Sequence, residues 1–221
     1  MDTSSIRHSL SSIQSASGLD SSPQGEVGEL GTYRLVKRLL DILASLVLLI
    51  LSSPFLFLSA VAVGWESRGP VIYKQLRVGR NGRSFVLFKI RTMLVDTPTM
   101  TTEDLKKSGK TYYTRSGLLL RRFSFDELPQ LWNVLIGDMS LIGPRPSLAT
   151  QEWLNSQRKY FRVLELRPGI TGLAQVSGRD ELSDSDKVAF DADYRSRCSF
   201  LLDFKIALMT VKAVFSGNGA N

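Results

Sequence analysis

The chain has 221 residues at 24.6 kDa, 43% hydrophobic and 22% charged, which suits one domain with a core and argues against global disorder. One cysteine (Cys198) excludes an internal disulfide framework or a cysteine-cluster metal site, and one histidine (His8) argues against a histidine-based triad or histidine-ligated zinc. Lys and Arg outnumber Asp and Glu by 28 to 21, and a pI near 9.7 points to an anionic partner: nucleic acid, phospholipid or a phosphorylated substrate.

Residues 1–32 read as a disordered tail, with nine serines in the first 22 positions and no apolar stretch of the kind a signal peptide needs. Residues 33–66 read as a membrane anchor. Ile42–Val63 is a run of 22 residues without a charge, about the length one bilayer crossing requires. Ser53-Pro54 falls in its middle, where proline removes a backbone donor and predicts a break. Ten Lys and Arg lie within residues 31–95 against only Asp41 and Glu66, and they flank the run on both sides. A spanning helix favours basic residues on one side. Two half-helices that dip in and return at Ser53-Pro54 are therefore expected, with Lys37, Arg38, Asp41, Ser53 and Pro54 as anchor residues. Asp41 follows Lys37 and Arg38 at helical spacing, so a local ion pair is expected at the headgroup boundary.

Residues 67–221 read as a cytoplasmic catalytic domain. Val71–Val78 and Phe85–Arg91 flank Asn81-Gly82, a turn pair that tolerates positive φ, and predict a β-hairpin on which Lys89 and Arg91 project from one face. Residues 96–109 read as a mobile polar loop, and the remainder as mostly helical. The last helix, 200–215, carries Lys205 and Lys212 on one face and reads as amphipathic, lying on the membrane or on the domain. The expected fold class is α+β, mainly α: a re-entrant helix-break-helix, a small hairpin, and a helical catalytic domain with amphipathic interfacial helices.

The densest chemistry lies from Arg121 to Gln130 and on to Gly143-Pro144-Arg145-Pro146. Ser124-x-x-Glu127 has the form of a capping box, in which Asp126 and Glu127 simply sit at a helix start. Adjacent carboxylates can also divide labour, one attacking phosphorus while the other supports a divalent cation. Arg121, Arg122 and Arg145 supply positive charge for phosphate, and Arg145 is stiffened by prolines on both sides. Arg167-Pro168-Gly169-Ile170-Thr171-Gly172 through Gly178-Arg179 offers backbone donors and arginines to a ligand, or plain turn chemistry. Asp184-x-Asp186 and Asp191-x-Asp193 read as solvated helix-surface acids rather than a nucleotide-sugar metal site.

Ser53-Pro54, Gln75-x-Arg77-x-Gly79, Lys89-x-Arg91-Thr92-Met93, Leu119–Gln130, Gly137–Pro146 and Arg167–Arg179 together resemble the monotopic phosphoglycosyl transferases, bacterial sugar transferases. The likeness covers about residues 33–215, and the compact size resembles the exopolysaccharide-initiating type. The resemblance implies transfer of a sugar-1-phosphate from a UDP-sugar to undecaprenyl phosphate, releasing UMP, through a covalent phosphosugar on Asp126. It implies Mg²⁺ supported by Glu127 with Asp126. It also implies substrate-binding roles for Arg121, Arg145, Lys89, Arg91, Gly172, Gln175 and Arg179. The implied partners are UDP-sugar, undecaprenyl phosphate and phospholipid rather than nucleic acid, at the cytoplasmic face of the bacterial inner membrane. Two other classes stay open on the residues alone: a metal-dependent glycosyltransferase that releases UDP, and a non-enzymatic basic membrane protein.

Overall fold

A computed structural model describes residues 27–95, 97, 112–178 and 181–215, with side chains described from 31 to 214 within those spans. The serine-rich tail up to residue 26, nearly all of the polar stretch 96–109, and Arg179 lie outside the described residues. The described residues are mainly helical, with two small two-stranded sheets.

The first helix, α1 (Val27–Glu66), has Pro54 inside it and carries the apolar run. Gly31–Glu66 is long and apolar enough to cross a membrane, and its most apolar window is only 11% buried within the protein. The expected break at Pro54 does not interrupt the helix. Proline at 54 deprives the Ile50 carbonyl of its helical donor, and the neighbouring Ser53 hydroxyl donates to that carbonyl at 2.8 Å instead.

Both arms of α1 dock on one body. At the N-terminal arm, Arg38 donates to the carbonyls of Val134 (2.6 Å) and Leu135 (3.0 Å), and Lys37 pairs with Asp203 at 2.9 Å. Asp41 does not pair with Lys37 or Arg38 as the helical spacing suggested. It is buried, and accepts from Ser140 Oγ (2.7 Å) and the Leu141 amide (3.1 Å). At the other arm, Val63 packs with Ile90 and Leu120.

The hairpin forms where Asn81-Gly82 predicted it, with β1 (Ile72–Val78) antiparallel to β2 (Ser84–Ile90) and Val78 opposite Ser84. Asn81 and Gly82 take φ of 57° and 75°, the left-handed conformation these residues tolerate best. The inward face of β2 buries Phe85 and Leu87 against Val134 and Met139. Helix α2 (Arg115–Arg122) starts at Thr114, whose hydroxyl accepts from the Gly117 amide at 3.0 Å. Glu66, from the end of α1, also accepts from the first amides of α2, a favourable place for a carboxylate.

Beyond the Asp126-Glu127 pair, α3 (Gln130–Ile136) is locked to the hairpin by the fully buried Asn133. Its Oδ1 accepts from the Phe88 amide (3.1 Å) and its Nδ2 donates to the Val86 carbonyl (2.7 Å), satisfying the edge of β2. Strand β3 (Ser140–Ile142) runs parallel to β4 (Gly169–Thr171). Helices α4 (Glu152–Tyr160), α5 (Leu173–Ser177), α6 (Asp184–Ser196) and α7 (Phe200–Phe215) complete the body. Leu173, Ala174, Phe190, Tyr194 and Ile206 form a further core cluster.

Helix α7 has the expected span; Ile206 is fully buried, while Leu201, Phe204, Leu208 and Val211 are exposed. Asp191 departs from expectation: it is buried on α6, not solvated, because α4 brings Arg158 against it at 2.6 Å.

Candidate active site

Asp126 and Glu127 lie in a short 3-10 turn, Phe125–Glu127, between α2 and α3. The capping box suggested by Ser124-x-x-Glu127 is not formed. Ser124 adopts φ of 57°, the left-handed region, and its side chain caps nothing. Its backbone reverses the chain at the end of α2, a conformation non-glycine residues seldom hold without support from their surroundings. Packing supplies that support, because the following Phe125 stacks edge-on against Phe55 of α1 with ring centroids 4.5 Å apart.

Glu127 receives two cations from distant segments. Lys89 Nζ from β2 reaches Glu127 Oε1 at 2.7 Å, and Arg145 Nη2 reaches the same oxygen at 2.9 Å. Burial opposes ionisation of Glu127, but Arg145 and Lys89 together outweigh it and hold the carboxyl well below the usual range. Burial draws Lys89 below an ordinary lysine, an effect that Glu127 opposes. Asp126 is also buried, and burial raises it above an ordinary aspartate; Lys89 opposes this, while the Glu127 charge adds to it. Neighbouring carboxylates therefore have unlike proton affinities, as a site dividing labour between them requires.

The arginine-bearing turn is held from behind. Arg158 donates through Nη1 to the Arg145 carbonyl at 2.8 Å, while its Nε and Nη2 meet Asp191 Oδ2 at 2.9 and 2.6 Å. Arg77 Nη1 faces the Pro146 carbonyl at 3.3 Å. Gly172 backs the same turn: a Cβ there would fall 2.1 Å from the Gly143 carbonyl oxygen, so only glycine allows the approach.

The residues named from the sequence thus fall into groups. Asp126, Glu127, Lys89 and Arg145 come together, and Arg121 stands near enough to bias Asp126 while stacking over the Tyr113 ring at 4.9 Å. Arg91 is turned away, donating to the Ser67 and Arg68 carbonyls just beyond α1 at 2.5 and 3.1 Å. Gln175 donates to the Ile170 carbonyl at 2.9 Å and so sits behind β4. Lys37, Arg38 and Asp41 hold α1 to the body. Sequence reasoning assigned Arg77 no role of its own and did not reveal the Arg158–Asp191 pairing. Arg77 had a signal, its place on the inward face of the hairpin with Lys89; the pair, 33 residues apart, had none.

Among the described residues no group of three or more His, Cys, Asp or Glu could hold a metal ion. The adjacent carboxylates of Asp126 and Glu127 do fit Mg²⁺ of the kind that takes one or two carboxylates and completes its shell with substrate phosphate and water. Two carboxylates ringed by Lys89, Arg145 and Arg121 make a compact site for a phosphate group: a potential nucleophile with cations to neutralise phosphoryl oxygens.

The model of a family described as bacterial sugar transferase matches residues 32–217. The chain is 40% identical over 190 residues to the uncharacterized sugar transferase EpsL of Bacillus subtilis, covering 84% of this chain and 90% of that protein. It is 35% identical over 226 residues to the exopolysaccharide production protein ExoY of Rhizobium meliloti, covering 94% of this chain and 100% of that protein. It is also 40% identical over 195 residues to the UDP-glucose:undecaprenyl-phosphate glucose-1-phosphate transferase of Caulobacter vibrioides, covering 84% of this chain and 72% of that protein.

Proposed function

The chain belongs to the bacterial sugar transferase family, and we propose that it moves a sugar-1-phosphate from a UDP-sugar to undecaprenyl phosphate and releases UMP. Asp126 attacks the sugar-bearing phosphorus, the bond to the bridging oxygen breaks, and UMP departs with the electron pair. A phosphate oxygen of undecaprenyl phosphate then attacks the same phosphorus, freeing the Asp126 carboxylate and leaving a lipid diphosphate sugar. The observation that carries this reading is the arrangement of Glu127 between Lys89 and Arg145, with Asp126 buried beside it. Glu127 and Asp126 would hold Mg²⁺, which would supply neutralising charge at the phosphate. Lys89 and Arg145 hold Glu127 ionised and aimed, and Arg121 and Arg145 steady the phosphoryl oxygens.

One substrate is a soluble anion and the other a lipid, so the reaction belongs at the cytoplasmic face of the inner membrane. A re-entrant α1 fits that placement. Arg38 and Val63 are 25 residues apart, about 37 Å along a straight helix, yet both are fixed to the α3–hairpin body. The exposed apolar flank of α1 between them, including Leu43, Leu51 and Phe57, faces the lipid.

The deciding experiment incubates purified protein with Mg²⁺, undecaprenyl phosphate and a panel of UDP-sugars, and identifies the nucleotide released. UMP release together with a lipid-linked phosphosugar is expected. UDP release would transfer the case to a glycosyltransferase, and no turnover with any sugar to a non-enzymatic membrane protein.

A further inference from the structure

Arg77 is a charged group in this region that the reaction just described leaves without a task. It lies on β1, opposite Phe85, so its side chain leaves the hairpin on the inward face shared by Gln75, Leu87 and Lys89. Its Nε and Nη2 both donate to Gln75 Oε1, at 3.1 and 2.6 Å, and its Nη1 faces the carbonyl of Pro146, next to Arg145, at 3.3 Å. Its fork is thus met by a neutral amide and a carbonyl. Such partners fix the direction of a guanidinium without cancelling its charge, which a carboxylate would do.

Arg77 also feels the site electrically. Burial and, after it, the Arg145 charge lower it to about 10, with Tyr73 and Glu127 opposing the shift. It remains a cation at neutral pH, partly desolvated, where an anion gains most from meeting it. The half-buried position is costly for an uncompensated charge, and a phosphate would relieve that cost.

Resting on the reaction proposed above, we infer that Arg77, oriented by Gln75, holds the nucleoside-side phosphate of the donor and the UMP that leaves. The fold supplies the direction. Arg77 is near the turn end of the hairpin, whereas the other end, at Val71, meets α1 beside Gly64. Lipid phosphate arrives from the α1 side, so the phosphate at the far side is the soluble one. In the first step the Asp126 oxygen–phosphorus bond forms, the bond to the bridging oxygen breaks, and negative charge gathers on the departing UMP phosphate. A guanidinium aimed there stabilises that charge, and has no part in the second step, when UMP has gone.

The test separates the two steps in full-length protein held in nanodiscs. UMP binding is measured by calorimetry, phosphosugar attachment by intact mass, and transfer from the pre-formed adduct to undecaprenyl phosphate by lipid extraction. Arg77→Gln is expected to weaken UMP binding at least tenfold and to slow attachment by a similar factor. Once its adduct has been allowed to accumulate, transfer to lipid should stay within twofold of wild type. Gln75→Glu, which keeps Arg77 but sets a carboxylate against it, should weaken UMP binding in the same direction with an unchanged melting temperature. Wild-type UMP affinity in Arg77→Gln overturns the inference, as does equal slowing of both steps, which would mark a structural role or a lipid-phosphate contact. A wild-type protein that neither binds UMP nor forms the adduct overturns the proposed reaction itself, an outcome distinct from a wild type that does both beside an unaffected Arg77→Gln.

Discussion

Replacing Asp191 by Asn tests whether the turn that presents Arg145 is held by a buried ion pair. The Arg158 and Asp191 side chains are only 5% and 2% exposed, and two guanidinium N–H groups converge on one aspartate oxygen at 2.6 and 2.9 Å. Asn leaves Arg158 buried without its counter-charge, a change that costs about 3–5 kcal/mol in comparable sites. Against a total stability of about 5–15 kcal/mol this is a large fraction. For a chain of this size it corresponds to a fall of about 6–20 °C in melting temperature. The measurement is thermal unfolding in a fixed detergent, with turnover recorded below the transition. The double replacement Arg158→Met with Asp191→Leu removes both charges and should recover most of the lost stability. It does not restore the bond from Arg158 to the Arg145 carbonyl, so turnover should remain low while the melting temperature returns. A melting temperature for Asp191→Asn within about 2 °C of wild type would refute the reasoning, since a buried arginine cannot lose its carboxylate that cheaply.

The rate of phosphosugar attachment should have an acid limb above that of an ordinary aspartate, because burial raises Asp126 and only its carboxylate attacks; initial rates against pH check this, and a limb at the ordinary position contradicts it. Glu127, held low by Arg145 and Lys89 against its burial, has the opposite sign: its contribution to stability is complete above the ordinary carboxylate range and is lost as pH falls through its lowered value. In a Cys198→Ser background, single cysteines at Ser21 and Gly82 should be labelled from the same side of the membrane in intact cells. Pro54→Leu, which restores the missing helical donor to Ile50, should shift part of the population toward opposite-side labelling; opposite labelling without it would refute the re-entrant reading.

The parts of this structure legible in the sequence are those set by neighbours in the chain. Asn81-Gly82 specifies the hairpin because positive φ is a local property, and the charge-free run specifies a long apolar helix because its composition leaves little choice. Local rules failed where a distant partner offered more. Asp41 has two cations within a helical turn, yet Ser140 and the Leu141 amide, about a hundred residues away, satisfy it in the interior. Ser124-x-x-Glu127 reads as a capping box, but Glu127 is drawn to Lys89 and Arg145 and Ser124 is bent into the left-handed region. Asp191 looks like any acid on a helix surface until α4 delivers Arg158. At Pro54 the sequence contained both the problem and its remedy, since Ser53 stands where its hydroxyl can replace the lost donor.

Intact-mass analysis of the protein with Mg²⁺ and UDP-sugar, without lipid acceptor, tests whether Asp126 carries the phosphosugar. The expected result is a mass increase of one sugar phosphate, located on the peptide containing Asp126 and discharged when undecaprenyl phosphate is added. Asp126→Asn should abolish the increase and lower turnover by several powers of ten while unfolding like wild type. An adduct on another residue, or near-normal turnover by Asp126→Asn, would contradict covalent attachment at Asp126 and leave it as a buried acid beside Glu127.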